Sequence, residues 1–200
     1  MRAALDVGCG TGALTRRLRR LVPQVTGIDR DLRSIELARS HPAAHGVNYL
    51  HADFLAAPFG PESFDLITAV ASLHHMDAAA ALERMRELLR PGGVLAVVGL
   101  ARGVSARDLA LLVPAVAGTR LHLLASALGQ RRSAGITGDG YKPPVIWPPP
   151  MTYRDIRHLA ARLLPDSRYR RRLYWRYSLI WTKPGVLADA GTKGPGRPLA

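Results

Sequence analysis

Short apolar runs alternate with helix-like stretches over the first half of the chain. The runs have the length of buried strands, and the stretches between them repeat apolar residues every three or four positions. Such alternation is typical of βα units that build a parallel sheet. We therefore predict a doubly wound α/β domain with five strands, at residues 3–7, 24–28, 47–51, 64–70 and 94–100.

The stretches between the runs predict amphipathic helices. Asp31 and Asp77 have the side-chain chemistry of N-caps and open the second and the last of these helices. The connection between the third and fourth strands is predicted to hold a short helix or none. The Arg-Pro-Gly-Gly sequence at 90–93 is expected to end the last helix, because proline cannot continue it. The predicted apolar faces are Leu14, Leu18, Leu21 and Val22; Leu32, Ile35 and Ala38; and Leu82, Met85 and Leu89.

The regular alternation fails between residues 101 and 150, which we interpret as an insertion that forms a substrate cap. A capping-box pattern at Thr152 and Asp155 then predicts a helix. From 168 to 182 the residues alternate by twos, which predicts a hairpin that turns near Tyr174. We expect one domain over 1–183 and a disordered tail over 184–200. The helix would bury Ile156, Leu159, Ala160, Leu163 and Leu164, and the hairpin would bury Leu173, Trp175, Tyr177, Leu179 and Trp181.

Composition narrows the class of protein. A chain of 200 residues with 48% hydrophobic residues suits one domain. Cys9 is the only cysteine, and neither a signal sequence nor a membrane span is evident, so we expect a cytoplasmic protein. The net charge of +13 points to nucleic acid or an anionic membrane. Because arginine dominates beside abundant alanine, glycine and proline, we favour a compositional origin of the charge and keep nucleic acid as an alternative partner.

A glycine-rich turn follows the first strand, with the sequence Asp-Val-Gly-Cys-Gly-Thr-Gly at 6–12. Without side chains at three positions, its backbone can approach a ligand closely at the carboxyl edge of the sheet. Gly8, Gly10 and Ala13 also satisfy the dinucleotide pattern, with Asp29 as the acid about 20 residues on, which leaves a nicotinamide enzyme open. Asp6 disfavours that reading, because its carboxylate would repel a pyrophosphate and suits a ligand with an ammonium group.

Five motifs together resemble the class I S-adenosylmethionine (SAM) dependent methyltransferases, in particular the small-molecule group related to the ubiquinone and menaquinone biosynthesis enzymes. Their order and spacing match over about half of the chain. The motifs are LDVGCGTG at 5–12, GIDRD at 27–31, HADF at 51–54, FDLITAVASLHHM at 64–76 and LLRPGGVLAVVG at 88–99.

The resemblance implies a Rossmann-like, mostly parallel sheet with an antiparallel last strand, and SAM as the cofactor; no metal site is predicted. Members of the family usually carry a helix before the first strand that helps to close the cofactor pocket. The predicted first strand of this sequence begins at Ala3, so we expect that helix to be absent, with a true start further upstream or a partner chain that covers the gap as the alternatives. We therefore expect a partly open pocket.

The resemblance also assigns roles to residues at the strand ends. Asp29 would accept both ribose hydroxyls, with a plain turn residue as the alternative. Asp53 would accept from the adenine amino group, with a loop cap as the alternative. Cys9 would fill the loop rather than act as a nucleophile. Asp6 would lie near the SAM amino group, Gly8, Gly10 and Gly12 along its methionine and ribose parts, Arg30 and Phe54 against the adenine, and Ala69 and Ala71 near the sulfonium.

His74 and His75 follow the fourth strand, where a substrate should lie. A neutral imidazole there can take a proton from a hydroxyl or amine, and a purely structural role is the alternative we favour. The sulfonium already activates the methyl group, so the family needs no obligatory catalytic residue. Residues 3–99 therefore do not reveal the substrate.

The sequence features that bear on the methyl acceptor lie after residue 100. Tyr141, Trp147 and the apolar run at 109–128 indicate a small hydrophobic or aromatic acceptor. An RNA methyltransferase, favoured by the arginines of 168–176, is the first alternative, although no Asn-Pro-Pro-Tyr-like stretch follows the fourth strand. A SAM-binding protein without catalysis is the second.

Overall fold

The computed structural model describes residues 1–103 and 146–185. They form a seven-stranded sheet with four α-helices and two short 3-10 turns. The predicted apolar run at 109–128, Tyr141 and most of the tail lie outside the described residues. The strands are β1 (Ala3–Val7), β2 (Gln24–Asp29), β3 (Val47–His51), β4 (Phe64–Val70), β5 (Leu89–Leu100), β6 (Arg168–Arg171) and β7 (Arg176–Thr182). The helices are α1 (Ala13–Arg19), α2 (Leu32–Ser40), α3 (Ala78–Leu88) and α4 (Tyr153–Leu163), with 3-10 turns at Pro42–Ala44 and Leu73–His75.

The order of strands is β3-β2-β1-β4-β5-β7-β6, and β1 to β5 run parallel to one another. β7 runs antiparallel to both β5 and β6. The chain order reverses between β1 and β4, which places a crevice at the carboxyl ends of these two strands. The structure therefore confirms the predicted doubly wound sheet with its antiparallel last strand.

Both faces of the sheet are buried. Ala3, Leu5 and Val7 of β1 belong to a large core that includes α3 and α4, whereas Ala4 packs with α1 in a separate cluster. This division follows from the strand itself, because successive side chains point to opposite faces. A strand covered on both sides has no polar face, which is why β1 is apolar at every position except the buried Asp6.

The element boundaries match the sequence predictions closely at three strands and two caps. β1, β3 and β4 have the predicted limits. Asp31 and Asp77 cap α2 and α3, each accepting a hydrogen bond from a backbone N–H three residues on. The described connection over 52–63 contains turns and no helix. The predicted capping box of Thr152 and Asp155 opens α4.

Three local predictions were wrong. Leu21 is 80% exposed, because it lies beyond the end of α1 at Arg19, whereas Val22 of the same predicted face is buried with Leu18. Leu32 is 49% exposed at the first position of α2, and the buried residues of that helix are Ser34, Ile35 and Ala38. β5 begins at Leu89 rather than at residue 94: Leu89 pairs with β4, and the proline and glycines that follow form an irregularity within the strand.

The hairpin prediction holds, with the turn at Tyr174 and Trp175, both in the left-handed region. Tyr177, Leu179 and Trp181 face the core as predicted, whereas Leu173 lies in the turn and is 48% exposed. Among the described residues, no helix combines the length and the apolar character needed to cross a bilayer.

Asp65 fastens the start of the chain to the middle of the sheet. Its Oδ2 accepts the backbone N–H groups of Arg2 and Ala3 at 2.5 and 2.9 Å, and it forms an ion pair with Arg90 at 3.2 Å. Partial burial raises the pKa of this carboxyl, but the two N–H groups and Arg90 outweigh that effect and hold the pKa below its ordinary value. The ionised form is therefore the one that the fold favours.

We expect Asp65→Ala to lower the free energy of unfolding at pH 7 by about 1–2 kcal/mol, because it removes charge-assisted hydrogen bonds. A carboxyl whose pKa is depressed by folding stabilises the protein above its unfolded pKa, near about 4, and this contribution is lost as the pH falls through the folded pKa. Urea unfolding at pH 7 and below pH 4 measures both effects. Glu36→Ala, which removes an exposed ion pair with Arg33, should cost less than about 0.5 kcal/mol. Equal costs for the two variants would contradict the assignment.

Candidate active site

The glycine loop has left-handed backbone at Gly8, Gly10 and Gly12, with φ of 69°, 53° and 78°. A Cβ at Gly8 would overlap Ser72, and one at Gly12 would overlap the ring of Tyr49. A Cβ at Gly10 would meet nothing within 4 Å. Gly8 and Gly12 are thus required by packing, whereas Gly10 faces open space where a ligand can approach the backbone.

The buried side chain of Asp6 fixes the position of this loop. The side chain is buried, and its two carboxylate oxygens accept hydrogen bonds from the hydroxyls of Thr15 at 2.7 Å and Thr68 at 2.8 Å. Burial raises the pKa of the carboxyl, although the two hydroxyls act in the opposite direction. In this structure Asp6 joins β1 to α1 and β4; its contact with a cofactor amino group stays a prediction.

Asp29 lies at the end of β2, directly beside the open side of Gly10. Its Oδ2 accepts the Gly10 N–H at 2.8 Å, and its Oδ1 accepts the Asp31 N–H at 2.9 Å. Each carboxylate oxygen can accept a second hydrogen bond, so the group can still receive two donors from a ligand. The residue therefore serves the turn and also fits a vicinal diol, which keeps ribose binding as a prediction. Arg30 is exposed next to it.

Cys9 packs inside the loop. Its Sγ would lie 2.9 Å from a Cβ at Gly27. Burial raises the pKa of the thiol, and the charges of Asp6 and Asp29 raise it further. The thiol is therefore protonated at neutral pH, which supports the interpretation of Cys9 as a filler of the loop rather than a nucleophile.

Two predicted cofactor contacts do not reach the surface. Phe54 is 4% exposed and packs in the main core, because its ring points inward from the turn after β3. Ala69 is fully buried within β4, and Val70 and Ala71 are the residues exposed at that strand end. Asp53 is exposed and accepts the Leu55 N–H at 2.8 Å, the capping role that was its alternative.

The 3-10 turn Leu73–His75 follows β4 and lies between the glycine loop and an apolar cavity. Ser72, just before the turn, donates its hydroxyl to the Val7 carbonyl at 2.6 Å. The rings of His74 and His75 lie 4.1 Å apart. Burial lowers the pKa of His75, Arg30 lowers it further, and Asp29 opposes them. His75 therefore lies on the side of Asp29.

His74 lies on the other side of the turn. Its Nδ1 is buried and has no hydrogen-bond partner among the described residues. Burial, assisted by His75, lowers the pKa of His74 to about 4. The imidazole is therefore neutral at physiological pH.

An apolar cavity of about 320 Å³ adjoins this turn. Its wall comes from the turn itself, the start of α3, one face of α4 and the inner side of β7. Among the wall residues, His74 was a sequence candidate, and Ile156, Leu159 and Tyr177 were predicted to be buried. Leu100 and Met151, which are far from each other in the chain, were not singled out from the sequence. The wall includes His74, Leu100, Met151, Ile156, Leu159 and Tyr177.

The comparisons with known proteins agree with this geometry. A family model described as a methyltransferase domain matches residues 5–97. An uncharacterised methyltransferase of Mycobacterium bovis is 35% identical over 185 residues, which cover 90% of this chain and 86% of the relative. A ubiquinone biosynthesis O-methyltransferase of Colwellia psychrerythraea is 32% identical over 112 residues, 54% of this chain and 46% of that enzyme.

A solved structure of a Pyrococcus horikoshii protein shares the fold, with a TM-score of 0.61 and 19% identity over 92% of this chain and 82% of that one. A doubly wound sheet with this strand order, a glycine loop after β1 and an acid after β2 define a nucleoside-binding α/β enzyme. With the relatives above, the chain belongs to the class I SAM-dependent methyltransferases, and SAM is its cofactor.

Replacing Gly10 tests the open position of the loop. Gly10→Ala should raise the Kd for SAM roughly 10- to 100-fold, because the added methyl group occupies the space where the ligand meets the backbone. Gly92→Ala is a matched control: Gly92 has φ of 77° and equally open surroundings, but lies at the start of β5, away from the loop. Both variants should lose about 1–2 kcal/mol of stability to backbone strain. Calorimetric titration with SAM separates them, and equal Kd values would contradict the assignment.

His74 gives a pH-dependent signature. Its folded pKa of about 4 lies below its ordinary value of 6.5, so the unfolded chain binds more protons between these values and stability falls as the pH drops through that window. His74→Phe should flatten this fall between pH 6.5 and 4, as measured by urea unfolding. His158→Phe is the control on α4, and an identical slope in wild type and His74→Phe would refute the burial argument.

Proposed function

We propose that this protein transfers a methyl group from SAM to a small apolar or aromatic acceptor held in the cavity under α4. The observation that carries the proposal is the position of that cavity. Leu73 and His74 of the 3-10 turn line it, and Ser72, just before that turn, packs against Gly8 of the glycine loop. The rest of its wall is apolar apart from Asp77. A ligand in it would lie next to the place where the loop can hold a cofactor, as methyl transfer requires.

The residues of the loop fit SAM. Gly10 offers open backbone, and Asp29 retains two acceptor positions for a ribose diol. When bound, SAM supplies a methyl group that its sulfonium already activates. The protein then has to orient the acceptor, and the apolar wall of the cavity serves that need.

His74 is suited to orienting a hydroxyl group of the acceptor. A neutral imidazole whose Nδ1 has no partner among the described residues can accept a hydrogen bond from a ligand that brings a donor. A pKa of about 4 makes it a weak proton acceptor at neutral pH. We therefore assign His74 to positioning, with the proton leaving to solvent as the acceptor oxygen is methylated.

The relatives support an oxygen acceptor. The matching enzyme of Colwellia psychrerythraea is an O-methyltransferase of ubiquinone biosynthesis. Because the match spans under half of that enzyme, it supports the class of reaction more than the identity of the substrate.

The direct test uses purified protein with methyl-labelled SAM and a panel of lipophilic phenols, quinols and carboxylic acids, beside total RNA. We expect label in at least one apolar small molecule and none in RNA. Label in RNA alone would overturn the proposal in favour of an RNA methyltransferase. SAM binding with no labelled product from the panel or from cell extract would leave a binding protein without catalysis.

Two adjacent alanines of α3 test the cavity. Ala79 lines it and Ala80 does not, although both lie in the first turn of the helix and both are partly buried. Ala79→Leu should raise KM for the acceptor about tenfold by filling the cavity, with the Kd for SAM unchanged. Ala80→Leu should keep the wild-type KM. If both substitutions changed KM equally, the cavity would not be the acceptor site.

A further inference from the structure

A cluster of exposed apolar side chains lies beside the β6–β7 turn. We call it the hairpin corner, formed by Ile146, Trp147, Leu173, Tyr174 and Trp175. Trp147 is 55% exposed, Leu173 48% and Ile146 39%. The rings of Trp147 and Trp175 pack edge to face with centroids 5.3 Å apart, so the two chain segments form one surface.

Exposed large hydrophobic residues are concentrated in the hairpin corner and scattered over the rest of the described surface. Four of the ten large hydrophobic residues that the described chain exposes lie in it. Scattered exposed apolar side chains are ordinary on a folded protein, whereas a contiguous group signals contact with a partner. The hairpin corner contains Trp and Tyr beside Leu and Ile. Its partner must therefore accept both inserted apolar side chains and amphipathic rings.

Positive charge is concentrated in the part of the chain that forms the hairpin. Residues 151–185 contain nine Lys or Arg and only two Asp or Glu, which places more than half of the net charge of +13 in under a fifth of the chain. On β6, Arg168, Arg170 and Arg171 are exposed, and Arg172 and Arg176 flank the turn with exposed side chains. A partner for this surface therefore carries negative charge.

The position of the hairpin corner links it to the cavity. Arg176 pairs with Leu100 at the carboxyl end of β5, and the Ala101 N–H donates to the Trp175 carbonyl at 2.9 Å. Leu100 lines the cavity, and so does Tyr177, which follows Trp175 by two residues. The exposed cluster thus borders the cavity at the same edge of the sheet as the glycine loop.

We propose that the hairpin corner docks the protein on the surface of an anionic lipid membrane. Indole and phenol rings favour the level of the headgroups, and leucine and isoleucine favour the acyl boundary beneath it. Arginines around such a cluster pair with anionic headgroups. A nucleic acid would use the arginines and the rings but would leave Leu173 and Ile146 in water, which favours the lipid surface. The docking does not depend on the proposed acceptor.

Vesicle co-sedimentation of the full chain tests the proposal without reference to activity. We expect binding to vesicles of phosphatidylglycerol and phosphatidylcholine, weaker binding to phosphatidylcholine alone, and a fall in affinity with added salt. The double variant Trp147→Ser with Leu173→Ser should lose about tenfold or more in affinity, because it removes the inserted apolar area. The control pair Leu21→Ser with Leu32→Ser removes two leucines that are 80% and 49% exposed, one just after α1 and one at the start of α2. This pair should bind as wild type does.

The charge is tested in the same assay. Arg168→Gln with Arg170→Gln should weaken binding to anionic vesicles roughly thirtyfold at low salt, at about a fivefold loss for each arginine. Arg17→Gln with Arg20→Gln, an equally charged change on α1, should have a smaller effect. Thermal unfolding of each variant establishes that it is folded.

Two outcomes would overturn the proposal. In one, vesicles fail to bind the wild-type chain, or the leucine control pair loses as much affinity as the hairpin variant. In the other, an RNA oligonucleotide binds with a dependence on Arg168 and Arg170 but not on Trp147 and Leu173, while vesicles do not. Methyl transfer to a small acceptor without vesicle binding would retain the proposed function and reject the docking.

Discussion

The buried carboxylate of Asp6 is the constraint on which the site depends. It binds one hydroxyl from α1 and one from β4, so the first turn of that helix and the end of that strand are fixed relative to β1. The glycine loop and the turn Leu73–His75 both start from these fixed points. A charge in this position is costly to bury, and the two threonines reduce that cost. The result is a loop already shaped for a ligand, so binding need not order it.

The limits of three strands could be predicted from the sequence. β1, β3 and β4 are short segments rich in apolar residues, and their predicted limits match the structure. The predictions for Leu21 and Leu32 were wrong because Leu21 follows the end of α1 and Leu32 occupies the first position of α2. Each side chain faces solvent there although its spacing matches an apolar stripe. The early start of β5 failed for a related reason: proline and glycine indicated a stop, but the strand accommodates them as an irregularity.

The sequence predicted which backbone segments meet at the site. It predicted the directions of the side chains less well. The juxtaposition of Gly10 and Asp29 follows from parallel strands that end at one edge. A motif gives a position in the chain and not the direction of its side chain, and Phe54 and Ala69 are buried, so their cofactor contacts stay predictions. The cavity could not be found, since Leu100, Met151 and Tyr177 meet only after β7 has paired with β5.

The short strand β6 is the last in the order of the described sheet, so one of its sides lacks a strand neighbour there. An open edge of this kind is a template on which further chains can add as strands and grow into aggregates. Three of its four residues are exposed arginines, and a second copy laid alongside would bring like charges into register. The same arginines therefore oppose the addition of further copies and the growth of fibrils. Neutralising them should shorten the lag time before concentrated protein aggregates.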